Sequence, residues 1–184
     1  MTDRILKENV TCDIPRQVPG SGVPLTEVEI RGLWSIQASR DHDLNSLAQA
    51  VLAETPRFGE MLCRDALRWI YLWPHKAYLR STEISPPELP ADCSSMLTDI
   101  SHGFCELSLK GSNPLEFLDN YTSVDLGTAE NTTKRNLRCL LGQYQIILWW
   151  DDITEVHILV DRSYAQSFRD YLDILFQRWS ATCP

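Results

Sequence analysis

Ser101 and His102 are neighbours, and Cys105 follows three residues later. A serine beside a histidine suggests a nucleophile and its base. A histidine close to a cysteine suggests ligands for a soft metal ion. Neither reading closes on the sequence. Adjacent residues in an extended segment point to opposite faces and cannot easily share a proton. A serine triad also needs an orienting acid and an oxyanion hole, and no G-x-S-x-G elbow is present. A metal centre needs further ligands. His42, His75 and His157 lie in separate segments, without C-x-x-C or H-x-x-x-H spacing. The expectation is structural hydrogen bonding at the start of a strand for Ser101 and His102, and no metal site. His157 sits within an apolar strand and reads as a satisfied core or interface histidine.

Other groups point the same way. Asp151 and Asp152 form a carboxylate pair, but aspartate is also a common turn residue, and the turn is the simpler reading. No G-x-G-x-x-G and no P-loop occurs, so no nucleotide cradle is visible. "RWIYLW" and "IILWW" carry enough aromatic surface to stack a flat cofactor or a base. At strand alternation they are more simply core or subunit interface. No catalytic, cofactor-binding or metal-binding residue is therefore assigned. Six tryptophans among 184 residues point to buried anchors at a partner interface. Trp34, Trp69, Trp73, Trp149 and Trp150 are the interface candidates.

Composition narrows the setting. Hydrophobic residues make up 43% and charged residues 23%, as in ordinary globular chains. The net charge of -8 disfavours a nucleic-acid backbone or an anionic membrane as partner. The N-terminus lacks a basic head followed by an apolar core, and no apolar run nears the roughly 20 residues that span a bilayer. A cytoplasmic, soluble protein is expected. The cysteines at 12, 63, 93, 105, 139 and 183 show no paired spacing and read as reduced thiols. The sequons at Asn9, Asn120 and Asn131 carry little meaning in such a protein.

The elements that must position these residues follow from periodicity. Residues 1–26 are polar, with Pro15, Pro19 and Pro24, and read as an extended arm before a domain over 27–184. "VEIRGLWSIQAS" alternates as one strand. "DLNSLAQAVLAE" has helical spacing, with Asp43 as its cap. "RFGEMLC" and "LRWIYLW" are strands joined at Asp65, the second placing Trp69, Tyr71 and Trp73 on one face. Pro74 ends it, "KAYLRS" returns, and "PPELPADCSSM" is a short helix or loop. "GFCELSLKG" is a strand with Cys105, Leu107 and Leu109 on one face. "NPLEFLDNY" is a helix capped by Asn113, with Pro114 first and Glu116 closing the cap. "NLRCLLGQYQIILWW" is one long strand broken near Gly142, or two. "EVHILV" is another strand. "SYAQSFRDYLDILFQRW" is a helix with a Ser163–Gln166 capping box and a stripe of Ala165, Phe168, Leu172, Leu175 and Trp179. Trp73 and Trp149 each end an apolar strand, 76 positions apart, and the helix caps Asp43 and Asn113 lie 70 apart. The order repeats, so the fold class is α+β. Two ferredoxin-like halves, about 27–97 and 98–180, share a core between their sheets.

"LTDISHGFCELSLKGSNPLEFLDNY", "TSVDLG" and "VHILVDRSYAQSFRDYLDILFQRW" together resemble the aminomethyltransferase (glycine-cleavage T-protein) superfamily. Asp99, Ser101, His102, Gly111, Val124, Asp125 and Leu126 match its run of motifs. "LRWIYLWPHKAYLRS" looks like the hairpin of its small cofactor-free branch, the gamma subunits of heterotetrameric sarcosine oxidases. Gamma-type subunits of N-methylglutamate dehydrogenase are closely similar. The folate-binding members carry Gly-Gly and then Asp-Asp on the central hairpin. Here the stretch is "RNLRCLLGQYQIILWWDD", with no acid inside the strand, so no folate chemistry is expected in this chain. The resemblance implies a fold like the folate-binding domain of the T-protein and a non-catalytic scaffold packed on a large alpha subunit. The whole complex would oxidatively demethylate an N-methyl amino acid, as when sarcosine gives glycine and formaldehyde or methylene-tetrahydrofolate. NAD and tetrahydrofolate would belong to alpha, FAD and FMN to beta with alpha, and zinc to delta. The alternative reading is a free-standing folate-binding one-carbon transfer protein.

Overall fold

Among the described residues, alternation of apolar and polar residues builds ten strands, which form two five-stranded antiparallel sheets. A computed structural model describes residues 25–38, 41–57, 59–73, 75–84, 95–111, 113–126 and 134–182. The strands are β1 (Leu25–Val28), β2 (Gly32–Ala38), β3 (Met61–Arg64), β4 (Leu67–Trp73), β5 (Lys76–Ser81), β6 (Ser95–Asp99), β7 (Phe104–Lys110), β8 (Arg135–Leu141), β9 (Tyr144–Asp152) and β10 (Glu155–Asp161). The helices are α1 (Asp41–Leu52), α2 (Pro114–Asp119) and α3 (Ala165–Thr182). Residues 1–24 of the expected arm and Pro74, the expected end of "LRWIYLW", lie outside the described residues, as does most of "PPELPADCSSM"; Leu25 and Thr26, the last two of the expected arm, belong to β1.

One sheet runs β3-β4-β5-β2-β6 and the other β8-β9-β10-β7-β1. The pattern repeats: β2, α1, β3, β4 and β5 correspond to β7, α2, β8, β9 and β10. Each half is ferredoxin-like in outline, as the sequence predicts. The edge strands are exchanged. β6 flanks β2 and then leads into β7 of the other sheet. β1 flanks β7 and then leads into β2. The strand expected over 28–39 is therefore divided between two strands in two sheets, β1 and β2, separated by Glu29–Arg31. Glu27 on β1 is also ion-paired with Arg169 of α3, which fixes that edge.

Three apolar layers result. Ile36, Trp69, Tyr71 and Leu79 of the first sheet pack on Leu44, Leu47 and Leu52 of α1. Leu107, Leu148, Trp150 and Ile158 of the second pack on Phe117, Phe168, Leu172 and Phe176 of α2 and α3. Leu33, Met61, Ile70, Leu72, Ile147, Trp149 and Leu159 lie between the sheets. The order is helix, sheet, sheet, helices.

Local details differ from the sequence expectation in four places. A register shift between Tyr71 and Trp73 in the β4–β5 pair turns Trp73 from the α1 side to the side between the sheets. The matching hairpin β9–β10 carries a shift between Glu155 and His157. The two turns align Trp73 with Asp152 rather than with Trp149, because Trp73 pairs Lys76 and Asp152 pairs Glu155. α1 begins at Asp41, so Asp43 is its third residue and not its cap. A 3₁₀ turn, Arg162–Tyr164, precedes α3, and Asp161 rather than Ser163 caps it, accepting from the Ser163 N–H and hydroxyl. The Asn113 cap of α2 forms as expected, accepting from Glu116 N. Gly142 adopts φ +59 in the two-residue β8–β9 turn, and a side chain there would run into the Tyr171 ring.

Candidate functional site

The Ser101–His102 pair sits in a 3₁₀ turn, Ser101–Gly103, that joins β6 to β7. Ser101 Oγ accepts from Leu33 N at 2.8 Å and lies 2.7 Å from Asp99 Oδ1, to which it donates. The Ser101 N–H donates to the same carboxylate oxygen at 2.9 Å. These backbone and side-chain bonds hold the Asp99 carboxyl below its ordinary range. His102 is exposed, and its ring makes no bond to Ser101. Arg162 clamps the turn from the α3 side, donating to the His102 carbonyl at 3.0 Å and the Phe104 carbonyl at 2.7 Å. The pair is a junction that fastens the β6–β7 crossing to the start of β2.

Chemically richer groups lie between the sheets. Glu106 is 0% exposed. It accepts from Arg80 Nε of the opposite sheet at 3.1 Å and meets His157 Nδ1 at 2.8 Å. His157 Nε2 lies 3.4 Å from Glu155, which also accepts from Ser108 at 2.6 Å and pairs with Lys110 at 3.2 Å. Burial opposes ionisation of Glu155, but the Ser108 hydroxyl, His157 and Lys110 outweigh it and lower its pKa. The His157 ring stacks on Trp149 at 3.7 Å and 4°. Arg68 of the first sheet lies over Trp149 at 5.4 Å and pairs with Asp151 at 3.1 Å. Asp151 also accepts from Cys63 Sγ at 3.0 Å. Asp152 alone plays the expected turn role, accepting from the Thr154 N–H and hydroxyl. Asp151 instead bridges the sheets.

Several features weigh against nucleophilic chemistry here. Burial, reinforced by Asp151, pushes the Cys63 thiol up to about 12, and burial pushes Cys139 to about 11. Cys105 is raised by burial and by Glu27. All three are neutral thiols at physiological pH, whereas a reactive cysteine needs its thiolate. Among the described residues no three His, Cys, Asp or Glu groups converge as metal ligands.

A cleft of about 720 Å³ opens where the sheets part between the β4–β5 and β8–β9 turns. Ile147 and Leu159 floor it, Trp73, Tyr78, Phe104, Tyr144 and Tyr164 wall it, and Lys76 and Arg138 supply cations. Arg138 lies 4.3 Å over the Trp73 ring, and Lys76 is 5.5 Å from the Tyr78 ring. Asp161 also lines the cleft, but its carboxylate caps the turn before α3. A second cleft of about 580 Å³ follows the outer edge of β8 past Val124, Arg135 and Leu140.

The tryptophan candidates separate by burial. Trp69, Trp149 and Trp150 are at most 1% exposed, and Trp34 is 4%. They belong to the cores of this chain. Trp73 is half-buried at the cleft and is the one of the five that presents surface. The sequence reading missed Arg80, Glu106, Arg68, Lys76 and Arg138. The available signal was a charge inside an otherwise apolar strand, as Glu106 in "FCELSLK", on the face opposite the leucines.

No family model and no curated protein matches the chain. A chain of the heterotetrameric sarcosine oxidase from Corynebacterium sp. U-96 matches it in structure with a TM-score of 0.69 at 18% identity. The match covers 86% of this chain and 85% of that one. The likeness establishes a shared fold. No helix among the described residues is long and apolar enough to cross a membrane.

Proposed function

We propose that the chain is a structural, gamma-type subunit of a heterotetrameric flavoenzyme that oxidatively demethylates an N-methyl amino acid such as sarcosine. The observation that carries this reading is the fold match to a chain of a sarcosine oxidase heterotetramer. Coverage is nearly equal in both directions, so the two chains are of similar size. The internal chemistry agrees with a scaffold role. Ser101 is consumed by a junction, the described buried thiols stay protonated, and the Glu106–His157 network is closed on itself.

In this reading the chain packs on a large alpha subunit. FAD, FMN, NAD, tetrahydrofolate and zinc belong to the alpha, beta and delta partners. Among the described lining residues the cleft's one carboxylate, Asp161, is engaged in a cap and Ile147 lies on the floor, which supports a role other than carboxylate-assisted one-carbon transfer. Affinity purification of the tagged chain from its host tests the proposal. A yellow assembly with three further subunits, active on sarcosine, is expected, and the separated chain should be colourless. Activity on N-methylglutamate alone would reassign the complex to the dehydrogenase branch. A solitary chain that binds tetrahydrofolate would overturn the scaffold reading.

A further inference from the structure

Lys76 and Arg138 pose a question that the scaffold role does not answer. The chain has 25 acidic and 17 basic residues, so a free cation has many carboxylates within the same molecule to choose from. Arg68, Arg80, Lys110 and Arg169 all take one. Among the described residues Lys76 and Arg138, like Arg64 and Arg162, take no carboxylate, but Arg64 and Arg162 are bonded to backbone carbonyls while Lys76 and Arg138 converge on the same aromatic wall. Arg138 donates from one side to the Gln145 side-chain amide oxygen and rests over the Trp73 ring.

The cleft they face has the size of a small-molecule site and an apolar floor. Its walls hold Tyr78 edge-on to Phe104 at 5.6 Å and Tyr144 edge-on to Tyr164 at 6.3 Å. Such surfaces favour a flat ring, and paired cations at one side favour an attached negative group. Burial raises the Tyr78 phenol, with Arg138 working the other way, so its hydroxyl keeps its proton and can donate to an anion.

We propose that this cleft binds a small, flat organic anion, with its charged group between Lys76 and Arg138 and its ring against the aromatic wall. The proposal goes beyond the subunit assignment and does not depend on it. Chemical class follows from the lining: one carboxylate or equivalent charge, one or two fused rings, and no cationic group.

Titration calorimetry of the full chain with 2-naphthoate tests this, with 2-naphthamide and cyclohexanecarboxylate as controls. Saturable one-to-one binding is expected for the naphthoate, with each control at least about tenfold weaker. Lys76→Gln and Arg138→Gln should each weaken it, and the double variant should abolish it without shifting the melting temperature. Both side chains reach solvent, so these variants should fold. Absence of saturable binding, equal binding of the neutral amide, or full binding by the double variant would overturn the proposal. Loss of naphthoate binding when partner subunits are assembled on the chain would also overturn it, by making the two cations contacts for a partner's carboxylate.

Discussion

The layers that face the helices and the layer between the sheets are built in opposite chemical styles. Against α1, α2 and α3 the sheets present Leu, Ile, Phe and Trp with almost no polar groups. Between the sheets, Leu33, Ile70 and Trp149 share the space with Arg80, Glu106, Ser108 and His157. An apolar layer holds any matching shape, while a buried ion pair tolerates one arrangement and gains little over an apolar substitute. The helix layers therefore carry most of the stability. The middle layer sets how the sheets mate.

The sharpest way to break this contrast is Glu106→Ala. It strands Arg80 and removes the partner of His157, and a loss of about 3–5 kcal/mol is expected by urea unfolding. The double change Arg80→Met with Glu106→Leu should instead fall within about 1 kcal/mol of the parent. Its amide exchange between the sheets should nonetheless be faster. A double variant as damaged as Glu106→Ala would show that the pair itself is stabilising. In the helix layer, Leu172→Ala should cost about 3 kcal/mol through transfer and cavity terms, with no rescue by any charge change. Ser101→Ala leaves the Leu33 N–H without its partner and should cost about 1–2 kcal/mol, read by thermal melting.

The one effect absent near neutral pH is alkaline. The Cys63 pKa is raised from 9.0 to about 12 on folding, so its contribution is whole below pH 9.0 and lost as pH rises towards about 12. Cys63→Ser keeps the hydroxyl donor to Asp151 and should flatten that part of the stability curve. An unchanged slope above pH 9.0 would remove Cys63 from the account.

The helix layers were the legible part of the fold. Period-two leucines in β7 and the stripe on α3 announce an apolar partner, and the α2 cap is written in Asn113-Pro114-x-Glu116. The middle layer was hard to read because its residues, Glu106, Arg80 and Arg68, look like solvent-facing positions until a second sheet covers them. The bulge before Trp73 was hidden for another reason. A two-residue turn and an extra strand residue leave no mark in composition, yet they move an indole from one layer to another. Break points such as Glu29–Arg31 are equally silent, since both pieces alternate in the same phase. Of the cleft, Trp73 was singled out, but Lys76 and Arg138 come together only through the hairpins.

The exchange of edge strands has a consequence for a chain made from its N-terminus. Residues 32–99 contain every strand of the first sheet, so that sheet can close while the second is still being synthesised. Of the described strands β1 emerges first, yet its partner β7 arrives about eighty residues later. During that interval the inner face of the first sheet meets water instead of its mate. Arg68 and Arg80 on that face make the exposure tolerable. The same charges that align the finished sandwich are of the inward-pointing kind that disfavours association of an uncovered sheet.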